Sequence, residues 1–165
     1  MSSGWRRRSG AVVRTFSADE SSALTSLASG LDETLAHAAG TRDDAVLTRL
    51  IPPAYDESEG EASDEFAGHT AVRIAEGKQS RLRVLVDDLT DERGEPARAT
   101  VTLDAERGQQ WMLAVNDVRL ALAARLGVER LDDPALGPVG DVYLWLGWLQ
   151  SGLIDAVDGF ADGER

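Results

Sequence analysis

Apolar residues recur at helical spacing in several stretches of this chain, most densely between Ala105 and Gly127. At about 100° per residue, Trp111, Val115, Val118 and Leu122 share one stripe. Met112, Leu113, Leu120, Ala123 and Ala124 cover much of the remaining circumference. Asp104 suits the N-cap, where its carboxylate can accept from an early backbone N–H. Gly127 suits a left-handed C-terminal stop. A helix that is apolar nearly all round belongs inside a bundle. The pattern therefore predicts a mainly α fold, a helical bundle packed around a central buried helix at about 105–127.

The same periodicity predicts a helix over 18–38, with Leu24, Leu27, Leu31 and Leu35 on one face. Ser17 and Glu20 form a capping box at its start. Asp43 to Leu50 reads as a short helix stopped by Pro52 and Pro53. Ser63 or Asp64 can cap a long helix to Leu89, whose second half carries the stripe Leu82, Leu85, Val86 and Leu89. A last helix over 139–157 buries Val142, Trp145, Leu146, Leu149, Leu153 and Ala156. Two short runs, 11–16 and 100–103, have strand character and predict a small two-stranded β-ribbon. Asp91 to Ala97 and Asp132 to Pro134 read as turns.

A length of 165 residues fits a single domain over 1–165. Residues 1–10 and 159–165 are expected as flexible tails. Six acids and no base between Asp56 and Glu65 predict a solvated acidic loop centred on 56–63. The ligand spacing and turn glycine of an EF-hand are missing there. The net charge of −12 argues against direct DNA binding, because phosphates call for Lys and Arg. There is no cysteine, which excludes disulfides, thiolate nucleophiles and a thiol switch. The apolar run Val142 to Leu149 is too short to span a bilayer. Arg6, Arg7 and Arg8 are not followed by a signal-length apolar run. A soluble cytoplasmic protein without membrane contact is the expectation.

Candidate chemistry is sparse. His37 and His69 sit in no metal or triad pattern, and no phosphate-binding glycine motif occurs. No nucleophile, base or cofactor is implied, so an enzyme is not expected. The unusual residues are Asn116, Asp117 and Arg119, polar positions within the most apolar helix. Arg119 falls among Val115, Leu126 and Met112, where a charge needs an acidic partner, helix-end carbonyls or a route to solvent. Two readings stand: a binding site lined by Asn116 and Arg119, or a structural network tying this helix to a neighbour. Leu144 and Trp148 point away from the main stripe of the last helix, beside Asp141, Ser151 and Asp155. An aromatic ringed by polar residues fits an interaction hot spot; packing against the first helix is the competing reading.

The segments WMLAVNDVRLALAARLG and DVYLWLGWLQSGLIDAV, with the earlier LTRLIPPAY, resemble an actinobacterial family of small proteins of unassigned function. Some members carry the name AosR, an oxidative-stress regulator. The resemblance covers most of the chain, from the capped first helix to Val157. It implies a cytoplasmic, non-enzymatic regulator acting on stress genes through a transcription-factor or sigma-factor partner, or RNA polymerase itself. Without cysteine, redox sensing through a thiol does not carry over. The alternative is a structural or housekeeping binding module, a homodimer among its forms, with no transcriptional role.

Overall fold

The computed structural model describes residues 4–38, 44–51, 60–127 and 137–162. Three antiparallel strands, β1 (Arg6–Arg8), β2 (Ala11–Phe16) and β3 (Ala99–Leu103), form a sheet in the order β1-β2-β3. Five helices accompany them among the described residues: α1 (Ala18–Ala36), α2 (Ala45–Leu50), α3 (Gly60–Leu89), α4 (Ala105–Leu126) and α5 (Gly137–Asp162). The fold is mainly α with a small sheet, and no described helix is long and apolar enough to cross a membrane.

Helix α4 is the hub. It packs against α1, α2, α3, α5 and β3. Trp111, Ala114, Val115 and Val118 are buried at its inner side. Asp104 accepts from Arg107 N at 2.8 Å, and Gly127 closes the helix at φ 59°. Such burial contributes about 1.5–3 kcal/mol for each large apolar side chain. The start of α1 is the capping box that the sequence predicts: Glu20 N donates to Ser17 Oγ, and Ser17 N to Glu20 Oε2. Asp44 caps α2 by accepting from Val46 N and Leu47 N.

The ribbon has three strands, not two. Strand β2 pairs with β3 as expected (Val12 opposite Leu103, Arg14 opposite Val101). It also pairs with β1, so residues 6–8 are an edge strand and not part of a flexible tail. Ser9 (φ 50°) and Gly10 (φ 77°) make the connection with two consecutive left-handed residues, the requirement of a tight hairpin. Three arginines carry no apolar alternation, so the strand is invisible to periodicity. The segment is fixed by side chains instead. Trp5 Nε1 donates to Leu149 O at 3.1 Å and Arg7 Nε to Ala156 O at 3.0 Å, both on α5.

Two helices are longer than their patterns. α3 begins at Gly60, ahead of Ser63 and Asp64, so the later part of the acidic stretch is helical. Residues 56–59 lie outside the described residues, as does the turn at 132–134. α5 continues past Val157 to Asp162; only 163–165 of the expected C-terminal tail lie outside the described residues.

Candidate interaction faces

Helices α3 and α5 both run antiparallel to α4, and polar side chains mark the pairing. On the α3 side, the buried Asp117 carboxylate takes Lys78 Nζ at 2.7 Å and Arg81 Nη2 at 3.5 Å. One turn from the start of α4, Asp88 of α3 accepts from Arg107 Nε at 3.0 Å and from Trp111 Nε1 at 2.8 Å. The hydrogen bond to Asp88 raises the Arg107 guanidinium pKa above its ordinary value. Buried carboxylates need such partners, because an unpaired charge in the interior is strongly unfavourable.

On the α5 side, Arg119 does not meet the acid or helix-end carbonyls expected from its apolar setting. Its Nη1 donates to Gln150 Oε1 at 2.5 Å and its Nη2 to Tyr143 Oη at 3.1 Å. The guanidinium also lies over the Tyr143 ring, 4.8 Å from the centroid. Gln150 Nε2 in turn donates to Asn116 Oδ1 at 3.2 Å. Neutral partners suffice because the site is only half buried, so Arg119 keeps part of its hydration. Asn116 and Arg119 thus belong to one network with α5, whereas Asp117 belongs to another with α3.

Leu144 and Trp148 lie on the outward side of α5, 60% and 50% exposed. Trp148 is not core against α1. Its ring covers the Arg14 guanidinium at 4.9 Å from the centroid, and Phe16 flanks Arg14 at 4.7 Å. Arg14 itself is buried on the inner face of β2 and pairs with Glu20 at 2.9 Å. Burial pushes its guanidinium pKa down, and Glu20 acts in the opposite direction. Sequence reasoning passed over Arg14. The available signal was its place in the alternation Val12, Arg14, Phe16, which puts it on the buried face of the strand.

His37 Nδ1 bonds to Glu33 O at 2.8 Å, at the end of α1. It lines an open cleft of about 420 Å³ with Glu33, Thr34, Asp44, Leu47 and Arg125. Arg125 Nη2 donates across that cleft to Thr34 Oγ1 at 3.0 Å. His69 is exposed on α3. Among the described residues, no three His, Cys, Asp or Glu side chains gather where they could hold a metal.

Comparison with known proteins adds a family. Residues 2–157 match the profile of a domain of unknown function, DUF2017. A Mycobacterium leprae (strain TN) protein, named as a candidate oxidative stress regulator, AosR, is 31% identical over 134 residues. The alignment covers 70% of this chain and 59% of that protein's length. No solved structure matches the chain.

Proposed function

This chain belongs to the DUF2017 family, and from that premise we propose that it is a non-enzymatic regulatory protein acting through protein–protein contact. Its role in this reading is control of oxidative-stress genes through a sigma-factor or RNA polymerase partner, in the cytoplasm and without a bound cofactor. The name of the M. leprae relative supports the stress role. The observation that carries the contact mode is Trp148. A half-exposed tryptophan is held on a rigid helix, backed by the buried Arg14 and bordered by the exposed Leu144. Large aromatic anchors with a polar rim dominate interface energetics. Asp141, Ser151 and Asp155 supply that rim. The absence of cysteine from the 165 residues directs the trigger away from thiol oxidation.

The test is affinity capture of the tagged chain from an actinobacterial lysate, with Trp148→Ala alongside. Under this reading RNA polymerase or a sigma factor is retained by the parent chain and lost by the variant, while both keep the same circular dichroism. Capture of neither by the parent chain overturns the transcriptional role in favour of a housekeeping binding module. Light scattering on the same samples reads out a homodimer.

A further inference from the structure

A second apolar surface lies on the opposite side of the Arg119 network from Trp148. On α4, Leu113, Asn116 and Leu120 follow each other at i, i+3 and i+7, so they share one stripe. That stripe falls between the side carrying Asp117, which faces α3, and the side carrying Arg119, which faces α5. Leu113 is 45% exposed. The flanking helices add to it at matching positions. Ile74, one turn before Lys78 on α3, is 38% exposed, and Ile154, one turn after Gln150 on α5, is 39% exposed. Three adjacent helices therefore present aliphatic side chains to solvent along one face, which soluble domains seldom leave without purpose.

The charges on this face select its occupant. Lys78, Arg81 and Arg119 stand along its middle; Lys78 and Arg81 share the buried Asp117 carboxylate, and Arg119 bonds only to the neutral Gln150 and Tyr143 among the described residues. Arg119 makes no ion pair among the described residues, and its buried Nε has no hydrogen-bond acceptor among them. Among the described residues, the acids Glu106 and Asp158 lie at one end, where the start of α4 meets the end of α5. In a chain of net charge −12, this is a locally cationic strip with an aliphatic floor. We propose that the α3–α4–α5 face is a docking site for an acidic amphipathic helix of a partner protein. Aliphatic residues at i, i+3, i+4 and i+7 would seat on Leu113, Leu120, Ile74 and Ile154. Flanking Asp and Glu would meet Arg119, Arg81 and Lys78. The site is separate from the Trp148 face and does not depend on it.

The experiment uses two designed amphipathic peptides with the same leucine spacing, one flanked by glutamate and one by lysine. Each is titrated into the full chain and followed by backbone amide shifts in NMR. The glutamate peptide should bind about tenfold more tightly or better, with the largest shifts at Leu113, Leu120 and Ile154. Leu113→Ser, a surface change, and Arg119→Met should each weaken it, while Trp148→Ala leaves it unchanged. Circular dichroism checks the fold of each variant. Equal affinity for the two peptides, shifts centred on Leu144 and Trp148, or no binding of either at millimolar concentration overturns the proposal. So does a dimer in light scattering that Leu113→Ser dissolves, because a second copy would then be the occupant. Loss of glutamate-peptide binding in Leu113→Ser with binding kept in Trp148→Ala separates this face from the Trp148 face, whose reading is tested by its own capture experiment.

Discussion

The Arg119 guanidinium lies against the backbone of Gly147, where an added β-carbon would stand 3.3 Å from Nη2 and 3.5 Å from Cζ. Glycine here costs α5 helix propensity, about 1 kcal/mol against alanine. In exchange it lets a flat cation lie across the helix between Tyr143 and Gln150. Gly147→Ala should therefore stabilise the parent chain by less than the full propensity gain. In an Arg119→Met background the flexible thioether gives way, and the same substitution should recover about 1 kcal/mol. A double-mutant cycle by chemical denaturation measures the difference, and equal gains in both backgrounds would show that Arg119 and Gly147 are not coupled.

Val118 is buried at the inner side of α4, among residues from several elements. Val118→Ala should cost about 1–3 kcal/mol through lost burial and the cavity left behind. A urea midpoint unchanged from the parent chain contradicts its place in the core.

Asp117 pairs with two cations at a site with little access to water. Asp117→Asn keeps the shape and removes the charge, leaving Lys78 and Arg81 facing each other. The expected loss is on the order of 3 kcal/mol, read as a drop in melting temperature. Adding Lys78→Met should restore part of it, since one buried cation is then removed with its hydration penalty. A double variant no more stable than Asp117→Asn alone would contradict the ion pair.

Glu20 serves two structures at once. One oxygen closes the capping box on Ser17 N, and the other pairs with Arg14. Glu20→Gln preserves a reaching side chain but not the charge, and should cost on the order of 2 kcal/mol. Because Arg14 supports the Trp148 ring, the same change should alter the tryptophan near-ultraviolet dichroism. An unchanged spectrum would separate the cap from the aromatic contact.

Legibility from the sequence followed the kind of force at work. α4, both its caps and the α1 capping box are local patterns, and each is where periodicity and cap chemistry put it. The outward position of Leu144 and Trp148 is also local, because 3.6 residues per turn separates them from Leu146 and Leu149. What escaped was long-range. β1 has no apolar alternation and exists through Trp5 and Arg7 reaching α5. The neutral partners of Arg119 come from α5 and the cations around Asp117 from α3, and a helical wheel of α4 contains neither. The length of α3 was hidden because its acidic start resembles a solvated loop in composition.

The hold of Trp5 and Arg7 on α5 also bears on the order of events in folding. These contacts join residues 144 and 149 positions apart. A ribosome releases the hairpin long before the helix that receives it, so Trp5 must wait without its carbonyl acceptor while α1 to α4 gather. Closing so long a loop costs entropy that neither element can offset alone. The hairpin edge and α5 should accordingly gain and lose hydrogen-exchange protection together, as one late-forming unit latched onto an earlier core.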